Sequence, residues 1–162
     1  MKKALLLLFL LGGCGRDDPA AEADNRSAPA EGPAAAVADG RLTGLYEGGA
    51  AAQKNQLCIV EEGGEARFGL VVWGANLHSC SGAGRAVRAG ERLTLRMTGD
   101  ETCAIEATLE AGTVALPRAL PTGCAYYCGA RASLAGASFT RTGTTEADAH
   151  KATDIAGDRL CD

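Results

Sequence analysis

Cysteine is the residue type in this sequence that is best placed to do chemistry. The chain has 162 residues and seven cysteines, two of which lie close together in the segment Cys124-Ala-Tyr-Tyr-Cys128. Zinc sites and thioredoxin-like redox sites use two residues between paired cysteines, whereas three separate this pair. The histidines His78 and His150 lie far from the pair in the sequence. The spacing therefore favours disulfide bonds over a metal centre or a redox site.

A second group of candidate residues surrounds Ser81, which follows His78 in the sequence. A serine nucleophile needs a neighbouring base, and the common hydrolase motif is Gly-x-Ser-x-Gly. The run Ser81-Gly82-Ala83-Gly84 lacks that motif, and no acidic residue is placed to orient His78. Val87 occupies the position of the third glycine of a dinucleotide-binding loop. The sequence therefore predicts no catalytic residues and no cofactor.

The first fourteen residues have the pattern of an export signal. Two lysines follow Met1, and residues 4–11 form an apolar run. Such a run is too short to span a membrane, which takes about 20 apolar residues. The segment ends in Leu11-Gly12-Gly13-Cys14. It resembles the signal of bacterial lipoproteins, whose lipobox consists of a leucine, two small residues and a cysteine, and all of these positions match.

The lipoprotein resemblance implies that residues 1–13 are removed as a signal peptide and that the Cys14 thiol carries a diacylglycerol. It also implies acylation of the new amino group, and several acyl chains anchor a protein stably in a membrane. In that family an aspartate directly after the lipidated cysteine is associated with retention in the inner membrane, and here that residue is Gly15. We therefore expect a protein anchored in the bacterial cell envelope, with the periplasmic face of the outer membrane favoured.

Residues 14–40 are predicted to be a disordered tether behind the lipidated cysteine. Residues 15–40 contain nine alanines, three prolines, six acidic residues and no aromatic residue, so they can bury too little apolar surface to fold. A coil of this length has a root-mean-square reach of about 25–30 Å. With 16 basic and 20 acidic residues the chain carries a net charge of −4, which disfavours nucleic acid as a partner. The expected partners are the membrane, through the acyl chains, and a protein of the envelope.

Apart from Cys14, an even number of cysteines remains, which predicts three disulfides and no free thiol. Export gives access to oxidation, and a domain of about 100 residues gains from covalent crosslinks. The turn at Gly99 brings Cys80 towards Cys103, so Cys80–Cys103 is the preferred pair among the 15 possible pairings. Cys58 and Cys161 would then bond to the remaining two. The candidates are Cys58, Cys80, Cys103, Cys124, Cys128 and Cys161.

Residues 41–143 have the pattern of short antiparallel β strands. Residues 56–61 and 66–73 are rich in β-branched and aromatic side chains and flank Glu62-Gly63-Gly64-Glu65, which predicts a hairpin. Residues 92–97 alternate, with Leu93, Leu95 and Met97 on a buried face. Shorter candidate strands bring the total to seven or eight. The predicted fold is mainly β, a small disulfide-stapled meander that forms either a sandwich or a filled barrel.

Three further patterns complete the predicted domain. The arginines at 85, 88, 92 and 96 nearly share one helix face, but a solvated strand face is favoured over a helical anion site. Residues 120–135 are predicted to be a loop or helical turn held by its cysteines. Residues 144–162 are predicted to form a C-terminal helix of about eleven residues, which Thr145 and Asp148 cap, Gly157 ends and Cys161 fastens.

Two resemblances bear on function. Gly44-Leu45-Tyr46 resembles the Gly-x-Trp motif that opens lipocalins, with tyrosine in place of tryptophan, and implies a calycin-like carrier of a small ligand. Small lysozyme inhibitors of the periplasm are similar in architecture, as lipid-anchored β barrels with disulfides, and imply a protein binder. We expect a non-catalytic binding or structural module, with a hydrolase of unfamiliar type as the competing class.

The substitution Cys14→Ser tests the lipid anchor. Because the thiol is the expected site of diacylglycerol attachment, the variant should stay an unprocessed precursor without acyl mass. Intact-mass measurement of the membrane-extracted protein checks this, with the wild-type chain as the control. A mature wild-type species that begins elsewhere than Cys14, or that lacks acyl mass, contradicts the lipoprotein interpretation.

Overall fold

Alternating apolar and polar residues build eight antiparallel strands in this chain. The computed structural model describes residues 40–162; the predicted signal peptide, Cys14 and all of the predicted tether except Gly40 lie outside the described residues. Each strand pairs with the next, and β1 also pairs with β8, so the sheet closes into a barrel. The strands are β1 (Gly44–Ala50), β2 (Gln53–Glu62), β3 (Glu65–Trp73), β4 (Ser79–Ala89), β5 (Arg92–Met97), β6 (Ala104–Glu110), β7 (Thr113–Ala115) and β8 (Ser138–Gly143).

The predicted fold class is confirmed, and the barrel is the form that it takes. The hairpin predicted around Gly63 and Gly64 is the β2–β3 pair, and both glycines have positive φ in its turn. On β5, Leu93, Leu95 and Met97 are buried as their alternation predicts. The four arginines of β4 and β5 are exposed on strands, so they do not share a helix face. Within residues 40–162 no helix is long and apolar enough to span a membrane.

Side chains fill the interior of the barrel. Alternate residues of every strand point inwards, and the largest of these side chains, Tyr46, Phe68 and Phe139, are at most 1% exposed. Leucine, isoleucine and valine side chains from the other strands complete one cluster around them. Leu42 joins this cluster from the segment before β1, and Leu134 joins it from the connection between β7 and β8. The core therefore extends into the segments that close the two ends of the barrel.

The two ends of the barrel differ in construction. The end at which β1 begins, here called the tether end, has the short turns β2–β3, β4–β5 and β6–β7. A Glu61 carboxylate oxygen there accepts from the backbone N–H groups of Leu42 and Thr43, at 2.8 and 3.2 Å, and from the Thr43 hydroxyl. The Thr43 hydroxyl in turn accepts from the Glu61 N–H. The opposite end, here called the loop end, carries the three long connections, residues 74–78, 98–103 and 116–137.

The C-terminal segment packs on the outside of the barrel and differs from the prediction. Thr145 and Asp148 form the predicted capping box, but the helix, α1, covers Glu146–Ala149 and is therefore four residues long rather than eleven. The chain then reverses direction, since Leu160 N–H donates to the Ala152 carbonyl at 3.0 Å. Leu160 lies against Gly69 of β3, and a β-carbon at position 69 would overlap the Leu160 carbonyl. Packing on the outer surface of the barrel thus outweighs helix propensity in this segment.

All six cysteines of the domain form disulfides, but the preferred pair Cys80–Cys103 is wrong. The bonds are Cys58–Cys161, Cys80–Cys128 and Cys103–Cys124. Cys80 lies in β4 and Cys103 directly precedes β6, so β5 lies between them. Two strand spacings are about 9–10 Å, which exceeds the reach of a disulfide. The expected bonds from Cys58 and Cys161 to the Cys124–Cys128 segment are also wrong, because that segment lies over the loop end.

The double variant Cys58→Ala, Cys161→Ala should release the C-terminal segment while the barrel remains folded. The bond closes a loop with a sequence separation of 103 residues, so its loss should lower the free energy of unfolding by about 2–4 kcal/mol. Hydrogen exchange should rise most in residues 150–162. The matched double variant Cys103→Ala, Cys124→Ala should raise exchange at the loop end instead. Peptide mapping that links Cys80 to Cys103 would contradict the pairing.

Candidate functional site

The residues considered for catalysis do not interact through their side chains. His78 ends the connection between β3 and β4, and Ser81 lies within β4, both partly buried. Among residues 40–162 no hydrogen bond joins their side chains, and the described residues contain no cluster of three or more His, Cys, Asp or Glu side chains that could hold a metal ion. The six cysteines that spacing singled out are structural crosslinks. Cys14 lies outside the described residues.

Two clefts of about 390 Å³ each lie at the two ends of the barrel. The cleft at the tether end is lined in part by Leu42, Glu61 and Arg88. Its polar groups are engaged within the fold, because Glu61 holds the backbone of Leu42 and Arg88 donates to the Gly40 carbonyl at 2.7 Å. The cleft at the loop end is formed by residues 120–135 and is lined mostly by small apolar side chains. Neither cleft has an arrangement of polar groups typical of an active site.

The connection between β7 and β8, residues 116–137, is the largest irregular segment of the barrel and covers the loop end. The disulfides Cys80–Cys128 and Cys103–Cys124 fasten it to β4 and to the start of β6. Backbone bonds add to this attachment, since Gly129 N–H donates to the Ser79 carbonyl at 2.9 Å. Leu134, 1% exposed, anchors the segment in the core. The connection is therefore rigid without regular secondary structure, apart from a short 3-10 turn at Thr122–Tyr127.

Tyr127 joins that connection to the loop between β5 and β6. Its hydroxyl donates to the Thr98 carbonyl at 2.9 Å and accepts from the Asp100 N–H at 2.8 Å. The Asp100 carboxylate accepts from the Thr102 hydroxyl and N–H. The hydroxyl bond, followed by the N–H bond, lowers the pKa of Asp100 below its usual value. The neighbouring Tyr126 packs edge to face on Tyr127 and is 76% exposed.

Leu77 occupies an unfavourable backbone conformation at the loop end. Asn76 and Leu77 have φ of 55° and 63°, a region that costs a residue other than glycine about 1–3 kcal/mol. The Leu77 side chain is nevertheless 73% exposed, so burial of this leucine does not offset the cost. Contacts of the neighbouring backbone, rather than burial of the side chain, therefore keep Leu77 in this exposed conformation.

Contacts with residues 129–132 hold that conformation. Ala75 N–H donates to the Arg131 carbonyl at 3.1 Å, and Gly74 N–H donates to the His78 carbonyl at 2.8 Å. Gly74 lies so close to Arg131 and Ala132 that a β-carbon would overlap their backbones. The connection that carries Leu77 and the one that carries Arg131 are thus packed backbone to backbone. Leu77 and Arg131 lie on adjoining parts of the same surface.

The charge of residues 116–137 is entirely positive. The segment contains no acidic residue, and its charged side chains are Arg118 and Arg131, both exposed. Among the described residues neither arginine forms an ion pair with a carboxylate. Exposed tyrosine and arginine with few other charges is the composition enriched at the centres of protein interfaces. The loop end, centred on Leu77 and Arg131, is therefore the candidate functional site.

Sequence reasoning did not find this site. It interpreted residues 120–135 only as a loop or helical turn held by its cysteines, and in the segment before β4 it considered only His78, as a base for Ser81. One signal was available in the sequence, namely a run of 35 residues without an acidic side chain, from 111 to 145, which includes the connection 116–137. The exposure of Leu77 could not be predicted from the sequence, because a single leucine between two predicted strands is usually interpreted as part of the core.

Replacing Leu77 tests the backbone cost directly. Asparagine tolerates positive φ whereas alanine does not, so Leu77→Asn should be more stable than Leu77→Ala by up to about 1 kcal/mol. Both variants remove the exposed side chain, so their difference isolates the backbone. Chemical denaturation of the two variants and the wild type measures it. Equal stabilities of the two variants would show that the backbone conformation carries no such cost. A wild type more stable than both would show that the leucine side chain stabilises the fold.

Comparison of this chain with protein-family models, with curated proteins and with solved structures finds no match. The function is therefore argued from the residues and the geometry described above.

Proposed function

We propose that this chain is a lipid-anchored protein of the bacterial cell envelope that binds a partner on its outer surface and performs no catalysis. The observation that carries the proposal is the filled barrel. Phe68, Phe139 and Tyr46 occupy the interior with at most 1% of each side chain exposed. A surface-binding module needs a rigid scaffold with a displayed site, and a closed barrel filled by side chains is such a scaffold.

The closed antiparallel barrel is also compatible with a calycin-like binder, which is the second candidate function. A carrier needs a cavity that buries most of its ligand among apolar side chains. Here Leu42 extends the core to the tether end, and Leu134 extends it to the loop end. The two clefts of about 390 Å³ lie at the ends and are lined mostly by exposed or partly buried residues. These features favour binding on the outside of the barrel over carriage inside it.

The anchor and the location are proposed from the sequence pattern. The lipobox that ends at Cys14 would place acyl chains in the membrane, and the absence of an aspartate after it favours the outer membrane. Residues 15–40, as a coil, would then hold the barrel at a root-mean-square distance of about 25–30 Å from the membrane surface. A domain held at that distance can meet periplasmic and membrane-bound proteins. Nucleic acid is not proposed as a partner, since residues 41–143 carry 10 basic and 9 acidic side chains.

Binding of an apolar fluorescent dye and of a fluorescent fatty acid separates the proposed surface binder from a carrier. The wild-type protein should take up neither probe at a stoichiometric level, because side chains fill the interior. A fatty-acid-binding protein that takes up both probes is the control for detection, because an engineered cavity in a filled core admits only molecules about the size of benzene. One equivalent of probe bound by the wild-type protein would establish the carrier instead.

A panel of ester, glycoside and peptide substrates separates the proposed binder from a hydrolase. No turnover is expected above that of a heat-denatured sample. His78→Ala is the matched variant, because His78 is the base that a serine-dependent reaction would need near Ser81. If the wild-type protein turns over a substrate and His78→Ala abolishes that turnover, the proposed function is wrong and the protein is an enzyme.

A further inference from the structure

We propose that the loop end, centred on Leu77 and Arg131, is the docking surface for a folded protein partner that offers an apolar pocket with a carboxylate beside it. This inference deepens the proposed function and rests on it, because it assumes that the protein binds on its outside. It assigns the surface and the chemistry of the partner.

The described part of the chain begins at the tether end of the barrel. Residues 14–39 continue from Gly40, and the Arg88 guanidinium donates to the Gly40 carbonyl at 2.7 Å beside the β4–β5 turn. The chain therefore leaves the barrel at the tether end. The loop end lies at the opposite end of every strand. In a protein anchored through Cys14, it is the end with the most freedom to meet a partner.

Leu77 has the properties of a side chain that is displayed for binding. It is 73% exposed, and two successive positive φ angles hold it there. Residues in such conformations concentrate at functional sites, where the surrounding structure over-determines them. The large exposed aliphatic side chains elsewhere lack this feature, since Val87 is in a regular strand and Ile155 has no positive φ. A leucine presented in this way fits an apolar pocket of a partner.

Arg131 determines the charge that this partner needs. Its carbonyl is occupied by Ala75 N–H at 3.1 Å, which fixes its backbone beside the connection that carries Leu77. Its guanidinium is exposed and has no ion pair among residues 40–162. Residues 116–137 contain no acidic side chain that could satisfy it. A guanidinium recognises a carboxylate through two parallel hydrogen bonds, so charge complementarity favours a partner with an acidic group beside its apolar pocket.

The rigidity of the loop end favours a folded partner over a flexible peptide. The disulfides and the Tyr127 hydrogen bonds hold residues 116–137 to β4 and to the connection 98–103. The bond from Ala75 N–H to the Arg131 carbonyl joins the connection 74–78 to the same segment. A surface ordered before binding loses little conformational entropy when it binds. Such a surface gains most from a partner that is itself ordered and complementary in shape.

Site-specific photocrosslinking in the native envelope tests the proposal with the full lipidated chain. A photoreactive residue is placed at position 75 or 130, exposed alanines beside Leu77 and Arg131, so that both proposed binding side chains remain. The matched controls carry it at Val87 or Ile155, which are 57% and 63% exposed elsewhere on the protein. The partner protein in the crosslinked species is identified by mass spectrometry and then purified on its own. Its dissociation constant is measured with the wild type, Leu77→Asn and Arg131→Glu. Both variants should bind about tenfold more weakly or worse. Val87→Asn should bind as the wild type does, and all variants should stay folded by circular dichroism.

Each outcome decides between the proposals. Crosslinks from positions 75 and 130 to one protein, lost with Arg131→Glu and mapped to an acidic and apolar surface of that protein, support the inference. Crosslinks to one protein only from positions 87 or 155 overturn the inference and leave the proposed function intact. Crosslinks to lipid, or to a second copy of this chain, overturn the assigned partner. The absence of any crosslinked species from all four positions overturns the proposed function together with the inference.

Discussion

The closure of β1 on β8 is the constraint on which the rest of this structure depends. Once the sheet closes, half of the side chains of every strand must share an interior that is just wide enough to be filled by them. The chain meets this limit with Phe68, Phe139 and a set of smaller aliphatic residues. Every strand has both neighbours, so no edge remains open to other chains. The features that distinguish one such barrel from another are consequently its ends and its outer surface.

The two ends are closed in different ways. At the tether end, the burial of Leu42 and hydrogen bonds to Glu61 hold a short segment. At the loop end, covalent bonds hold a long segment that has little regular structure of its own. Two buried leucines, the Tyr127 hydroxyl and backbone hydrogen bonds such as that from Gly129 to Ser79 add to this attachment. Disulfides are the means by which a loop of this composition is kept in one conformation while its side chains stay exposed.

Local sequence pattern predicted the strands well, because alternation reports directly which face of a strand is buried. Leu93, Leu95 and Met97 show this for β5. Gly63 and Gly64, which have positive φ, marked the turn of the β2–β3 hairpin in the same local way. The pattern could not choose the disulfide partners, since these depend on which connections meet at one end of a barrel. It predicted the helix cap at Thr145 but not the helix length, because contacts with the barrel and the Cys58–Cys161 bond turn the chain after Ala149. The display of Leu77 depends on tertiary contacts from residues 129–132 and had no local signal.

The attachment of the segment before β1 has a mechanical consequence for an anchored protein. A pull on Gly40 from the membrane side reaches Leu42 and Thr43 before it reaches β1. The Glu61 carboxylate accepts from both of their N–H groups, and the Thr43 hydroxyl accepts from the Glu61 N–H. Tension is thus transferred sideways to β2, which Cys58 joins covalently to the C-terminal segment at Cys161. The load is shared by two strands and a crosslink, so the β1–β8 pairing that closes the barrel does not carry it alone.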